Sequence, residues 1–122
     1  MLYQKAIERF YSELRKTWER LVEEILLGGV VERFNSGVKT QSLKGVVVSD
    51  DDYRTVYHAM KRASEYSGHD RAAARKLAPP SHAEMENDLN RLSQYQDELN
   101  KRRGKLEKER KALEEAPKAP LI

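Results

Sequence analysis

The chain lacks several signatures of enzymes. It has no cysteine, which excludes disulfide bonds, thiolate catalysis and cysteine zinc sites. Its three histidines, His58, His69 and His82, form no H-E-x-x-H pattern and no cluster with carboxylates, so no metal site is expected. No G-x-x-x-x-G-K-S/T loop, G-x-G-x-x-G turn or nucleophile elbow occurs. The chain is therefore predicted to hydrolyse no ATP by itself and to carry no cofactor.

Long hydrophobic runs and a strong charge of one sign are also missing. No apolar run approaches the roughly 20 residues of a membrane span, and the start of the chain does not resemble a signal peptide. A soluble, cytoplasmic protein without membrane contacts is expected. The net charge is only +3, with 23 basic and 20 acidic residues, so affinity for nucleic acid must come from local clustering.

The residues that are present favour helices. With 122 residues, of which 35% are charged, the chain fits one helical domain, 1–115, and a disordered tail, 116–122. Residues 3–27 place apolar side chains at the three-and-four spacing of one helical face, and Gly28 and Gly29 then permit a stop. This is the strongest helix prediction in the chain.

Capping boxes predict two further helices. Ser49 and Asp52 begin a helix that ends near Gly68, and Ser81 and Glu84 begin a long helix over 82–115. The long helix has one apolar heptad seam: Met85, Leu92, Leu99, Leu106 and Leu113. The second seam is weak, because it continues with polar residues: Leu89, Gln96, Arg103 and Arg110. We expect such a helix to lie on its own domain early and to protrude later, or to pair with another chain.

The β-branched residues of 38–48 leave two alternatives, a minor β-hairpin or an irregular crossover. Together the patterns predict an all-α helical bundle with a long, partly protruding C-terminal helix.

The segment Arg62 to Asp70 gathers most of the polar groups that can do chemistry. One interpretation is a general acid/base site, because histidine is the side chain whose ordinary pKa lies near neutrality. The other is a capped helix end, since helices commonly stop at a glycine such as Gly68. If the helix ends near Glu65, Arg62 and His69 can converge on one pocket.

Two other patterns also have a structural and a functional interpretation. Arg15 and Glu19 are spaced as a helix-surface ion pair worth about 0.3 to 0.5 kcal/mol, or they project into a cleft with Arg62 and His69. Basic residues near Tyr66 form either a solvated charged face or a patch for phosphate binding and base stacking. The candidates for nucleic-acid binding are Lys61, Tyr66, Arg71, Arg75 and Lys76.

Several separated motifs resemble the C-terminal region of large bacterial AAA-family ATPases of the SMC-like, coiled-coil type. They are the runs Leu14 to Leu27 and Gly29 to Phe34, the pair Asp52-Tyr53, and Ser64-x-Tyr66-Ser67-Gly68-His69-Asp70. The likeness covers about residues 8 to 110. It implies a domain that lies after an ATPase head, with that ATPase domain or subunit as its partner.

Some members of that group resemble the anticodon nucleases of bacterial defence systems, whose C-terminal part is a helical HEPN-type ribonuclease. In that class an arginine and a histidine four to six residues later cleave RNA without metal, and Arg62 to His69 fits at the upper limit. Anticodon nucleases also use an arginine, a glutamate four residues later and a distant histidine, the order of Arg15, Glu19 and His69. The resemblance implies that these four residues are catalytic, act on tRNA-like or single-stranded RNA, and complete their site in a homodimer.

The competing hypothesis is a non-catalytic helical module that docks against the ATPase, dimerises or binds nucleic acid. Arg15 and Glu19 are then a surface ion pair, and the segment from Arg62 to His69 only ends a helix.

Overall fold

Three long helices carry the described part of the fold. The computed structural model describes residues 2–68 and 78–115, in which α1 is Leu2–Leu21, α2 is Asp50–Tyr66 and α3 is His82–Glu115. A π-helical turn, Val22–Leu26, continues α1, and a 3-10 helix, Thr40–Gly45, precedes α2. These residues contain no β-strand, so the prediction of an all-α bundle with a long C-terminal helix is confirmed. The predicted tail, 116–122, lies outside the described residues.

The helices α1 and α3 run parallel, whereas α2 runs antiparallel to both. Near the start of α1 the Tyr3 hydroxyl donates to the Pro80 carbonyl at 3.1 Å. Near its end Trp18 stacks on Tyr95 of α3, with the ring centroids 5.7 Å apart. The parallel pair therefore stays in register along the whole of α1.

The core lies along the apolar face that the sequence predicted for α1. Trp18 and Tyr11 are fully buried in it, because α2 and α3 cover this face from either side. The buried apolar residues are Ile7, Tyr11, Leu14, Trp18, Leu21, Leu26, Ala63, Leu92, Tyr95 and Leu99. Aromatic rings fill much of this volume, which a short chain needs if it is to bury enough surface.

The second seam of α3 was predicted to be weak, and polar residues beside the leucine seam make its inward contacts. Leu89 is 46% exposed, and the positions that face the bundle beside the leucine seam are Asp88, Tyr95 and Arg102. The exposure of Leu89 agrees with the prediction that only one seam is apolar, and the polar residues that face the bundle lie one heptad position before it. Polar side chains occupy these positions because α1 and α2 supply their partners.

The segment 38–48 does not form a hairpin. Residues 40–45 make the 3-10 helix, and the only pairing of strand type in the described chain is one antiparallel bridge between Val31 and Val38. An Arg110 guanidinium nitrogen of α3 donates to the carbonyls of Leu43 at 2.7 Å and Val46 at 2.9 Å. The helix α3 is therefore covered as far as Arg110, and beyond it Leu113 is 71% exposed.

Both predicted capping boxes lie at helix starts. The Ser49 hydroxyl accepts the Asp52 backbone N–H at 3.1 Å, and the Asp52 carboxylate accepts the Ser49 backbone N–H at 2.9 Å. At α3 the Ser81 hydroxyl accepts the Glu84 backbone N–H at 3.1 Å. These bonds satisfy amide donors that have no partner inside the helix.

Candidate functional site

A cluster around Asp88, the Asp88 cluster, ties all three helices together. The Asp88 carboxylate accepts the Tyr11 hydroxyl of α1 at 2.5 Å and the Arg62 guanidinium of α2 at 2.7 Å. Glu84 lies 3.4 Å from the same guanidinium. The Arg62 side chain also covers the Tyr66 ring, with its guanidinium carbon 5.1 Å from the ring centroid. Charge-assisted bonds of this kind are strong when they are shielded from water.

Tyr11 and Arg62 of the Asp88 cluster each keep one protonation state near neutral pH. Burial, and then the bond to Asp88, raise the pKa of Tyr11 well above its ordinary value. Burial acts to lower the pKa of Arg62, but the hydrogen bond and the charge of Asp88 outweigh it and raise that pKa. A general acid or base works best with a pKa near the operating pH. Tyr11 and Arg62 are therefore suited to holding the helices together, and their pKa values are poorly matched to proton transfer near neutral pH.

A second cluster around Asp52, the Asp52 cluster, lies at the other end of α2. Its carboxylate accepts the Tyr95 hydroxyl at 2.8 Å and the Arg102 guanidinium at 3.0 Å, in addition to the Ser49 backbone N–H. Burial alone would raise the pKa of Asp52, but these donors outweigh it and hold the pKa below its ordinary value. Burial and the bond to Asp52 raise the pKa of Tyr95. The Asp52 carboxylate is thus ionised at neutral pH, and both of its oxygens accept hydrogen bonds.

A groove open to solvent runs between α2 and α3. Its volume is about 400 Å³, and buried α1 residues such as Trp18 form its floor. Arg54, His58 and Arg62 lie on the α2 wall, and Arg91 lies on the α3 wall. The acidic residues of the lining are Asp88 and Glu98. The groove therefore carries more positive than negative side chains.

Of the predicted catalytic residues, the described part of the chain places Arg15 and Glu19 together and Arg62 elsewhere. Arg15 and Glu19 lie 3.8 Å apart, and Glu19 is 3.6 Å from Arg33. Neither Arg15 nor Glu19 lines the groove that Arg62 lines. The Arg15 Nε atom is buried and has no hydrogen-bond partner among the described residues. His69 lies outside the described residues, so its role stays a prediction.

The residues predicted to bind nucleic acid are only partly described. Lys61 is exposed on α2. The Tyr66 ring packs against Tyr11 at a centroid distance of 5.0 Å, and its hydroxyl donates to the Ala78 carbonyl at 3.5 Å. Tyr66 therefore already has ring partners within the fold. The other three candidates, Arg71, Arg75 and Lys76, lie outside the described residues.

The residues that sequence reasoning missed are the two inward carboxylates and their partners. A signal was present, because Asp88, Tyr95 and Arg102 recur at the heptad spacing, three places after the leucine seam. Complementary charges also stand on α2, at Asp52 and Arg62. Polar residues at this spacing predict inward positions only if their partners on other helices are considered at the same time.

Comparison of this chain with protein-family models, with curated proteins and with solved structures finds no match. Over residues 2–68 and 78–115, no three histidine, aspartate or glutamate side chains are grouped closely enough to hold a metal ion. None of the described helices has the length and apolar character required to cross a membrane.

Proposed function

We propose that this chain is a non-catalytic helical docking module that attaches to a coiled-coil ATPase of the SMC-like type. The observation that carries the proposal is Phe34. Its side chain is 107% exposed, and its backbone has a φ of 66°. A bulky residue rarely adopts this left-handed conformation, which costs on the order of 1 kcal/mol. Within residues 2–68 and 78–115 the ring gains no burial in return, whereas a partner with an apolar pocket would bury it.

The surroundings of Phe34 support an interface of larger size. In the part of the chain that the structure describes, six of the eleven exposed large apolar side chains fall within residues 27–48: Leu27, Val31, Phe34, Val38, Leu43 and Val48. Single exposed apolar residues are ordinary, but a concentration of them in one connecting segment is typical of a protein interaction surface. We name residues 27–48 the apolar connection.

The interior of the bundle supports the absence of catalysis. The ionisable side chains that point inward, such as Arg62 and Asp52, are bonded to other helices. Their shifted pKa values hold them in one charge state at neutral pH. This arrangement stabilises a fixed shape, as a docking module requires.

The identity of the partner rests on the sequence resemblance. The motif Gly29 to Phe34 is part of that resemblance and lies in the apolar connection. A domain that follows an ATPase head remains close to it, which favours an intramolecular or subunit contact over capture of an unrelated protein.

Site-specific photocrosslinking tests the proposal. A photoreactive phenylalanine analogue replaces Phe34 in one variant and Leu113, which is exposed on α3, in a control variant. In cells of the source organism, the analogue at position 34 is expected to cross-link to a coiled-coil ATPase identified by mass spectrometry, and the analogue at position 113 is not. Equal cross-linking from both positions, or cross-linking from position 34 to unrelated proteins alone, would overturn the proposal.

Metal-independent RNA cleavage is the second candidate. The observation that favours it is the position of Arg62 on the wall of an open groove, close to the end of α2 that leads to His69. In the proposed reaction a ribose 2′-hydroxyl attacks the adjacent phosphorus and the 5′-oxygen leaves, so the product ends are a 2′,3′-cyclic phosphate and a 5′-hydroxyl. His69 transfers the proton, and Arg62 stabilises the phosphate charge.

Incubation of the purified protein with tRNA in the presence of EDTA tests this candidate. Cyclic-phosphate ends are expected from the wild type, and His69→Ala is expected to abolish them. Glu19 lies outside the groove, and Glu19→Gln removes its charge while keeping its shape. Cleavage by this variant at the wild-type rate would restrict the catalytic residues to the groove, and loss of cleavage would include Glu19 among them. If the wild type releases no such ends, RNA cleavage is excluded and the docking proposal is unaffected.

A further inference from the structure

We infer that the exposed face of α2 with Tyr53 and Tyr57, together with the adjoining groove between α2 and α3, binds single-stranded nucleic acid. This surface is separate from the apolar connection. It shares the groove with the second candidate function, but binding there does not require cleavage.

The first observation is a pair of exposed aromatic rings. Tyr53 is 58% exposed and Tyr57 is 50% exposed. The two residues lie one helical turn apart, and their ring centroids are 5.9 Å from each other. His58 packs edge-on against Tyr57 at 5.3 Å. Neither tyrosine is part of the core cluster. Two open rings on consecutive turns offer consecutive bases a surface for stacking, which is tolerant of sequence.

The second observation is the position of Arg54 between the rings and the groove. Arg54 lines both the shallow pocket that it forms with Asp50, Tyr53 and Tyr57 and the deeper groove. Its ion-pair partner among the described residues is Asp51, at 3.5 Å, and both side chains are largely exposed. Exposed pairs of this kind contribute little, so a phosphate can replace the aspartate. A strand stacked on the tyrosines would therefore meet Arg54 next.

The third observation is the charge across the groove. Arg91 of α3 forms no ion pair within residues 2–68 and 78–115, and it lines the wall opposite Arg54 and His58. Glu98 opposes the charges of Arg54 and Arg91, while Asp88 is bonded to Arg62. Cationic side chains on both walls suit a phosphate backbone that passes along the groove.

The geometry favours a single strand over a duplex. The aromatic residues of the groove floor, such as Trp18, are buried and cannot stack with bases. Stacking must therefore occur on Tyr53 and Tyr57, which requires bases that are free of their own stack. A duplex keeps its bases stacked and leaves the tyrosine rings without a partner.

The test measures fluorescence anisotropy of a labelled oligouridylate of about 12 nucleotides, within the length range that single-strand binding sites cover. Tyr53→Ala combined with Tyr57→Ala is expected to weaken binding at least about fivefold, because stacking is lost. Arg91→Ala is expected to weaken binding about threefold and to reduce the slope of log affinity against log salt by about 0.7.

Matched controls are available elsewhere on the surface. Phe34→Ala removes an exposed aromatic ring, and Lys101→Ala removes an exposed cation of α3 outside the groove. Both are expected to leave the affinity unchanged, and a thermal melt of each variant checks that the fold is intact. Absence of saturable binding by the folded wild type, or equal weakening by the controls, would overturn the inference. Equally tight binding of duplex RNA or of polyglutamate would also overturn it, the latter in favour of an acidic peptide partner.

Discussion

Replacing Asp52 with asparagine is expected to destabilise the protein by about 3 kcal/mol. The substitution keeps the volume of a side chain that is 3% exposed but removes the charge that faces Arg102. Breaking a buried ion pair costs about 3 to 5 kcal/mol. Because the Arg102 side chain is 28% exposed, water compensates part of that cost. The substitution also disturbs the bonds to the Ser49 N–H and the Tyr95 hydroxyl, which adds to the cost. The two effects oppose each other, and we expect a total near the lower end of the range.

Urea unfolding followed by tryptophan fluorescence measures this change. Trp18 is the single tryptophan and stacks on Tyr95, which belongs to the Asp52 cluster. For a domain of this size, 3 kcal/mol corresponds to a fall in Tm of about 12 °C. The matched control is Asp51→Asn, because Asp51 is the neighbouring residue and its side chain is 90% exposed. The control is expected to cost less than about 0.5 kcal/mol. Equal costs for the two variants would refute the structural role of the Asp52 cluster.

The difference in unfolding free energy between the wild type and Asp52→Asn is expected to depend on pH with a defined sign. The pKa of Asp52 is held below its ordinary value in the folded state, where Ser49, Arg102 and Tyr95 donate to the carboxylate. As the pH falls below the ordinary aspartate pKa of about 3.9, the unfolded chain takes up this proton first, so acid favours unfolding. The stability difference between wild type and Asp52→Asn is therefore full above about pH 5 and shrinks at lower pH. A difference that grows with acid would contradict the assignment.

Three further predictions concern stability in urea. Asp88→Ala leaves the Tyr11 hydroxyl and the Arg62 guanidinium without their shared acceptor and is expected to cost about 3 kcal/mol. Tyr11→Phe removes only one of these bonds and is expected to cost about 1 kcal/mol. Equal costs would contradict the role of Asp88. Phe34→Asn is expected to raise the free energy of unfolding by about 0.5 to 1 kcal/mol, because asparagine tolerates the left-handed backbone and the ring buries nothing. Gly104→Ala is expected to add about 0.5 to 1 kcal/mol, since a Cβ there meets nothing within 4 Å on a helix; a loss of stability would show that the glycine is needed for another reason.

The main helices could be predicted from the sequence because their signals are local. The apolar spacing of residues 3–27 and the Ser49 and Ser81 caps depend only on residues within a few turns of each other. Each of these predictions agrees with a described element. The 3-10 helix of 40–45 was not predictable in the same way, because it is held by Arg110 from a distant helix.

The arrangement of the candidate site could not be predicted, since spacing on one helix does not show which neighbour that helix faces. Arg15 and Glu19 pair with each other as the structural interpretation expected. Arg62 instead bonds to Asp88 on α3, a pairing across 26 positions of the chain. The sequence identified Arg62 as a chemically important residue, but only the fold supplies its partner.

The two carboxylate clusters also account for the groove. Asp52 of α2 bonds to Arg102 of α3, and Arg62 of α2 bonds to Asp88 of α3, so the two helices exchange ion pairs near both ends of α2. Long arginine side chains bridge these two positions, while the backbones of α2 and α3 do not pack closely against each other. A shift of α2 by one turn along α3 would separate both pairs at once and leave charges unpaired, so the pairs specify the register of the helices. The same spacing leaves the opening between them, with Arg54 and Arg91 on opposite walls. Polar residues that would be poor choices for a simple apolar core are therefore what keeps this groove open in the fold.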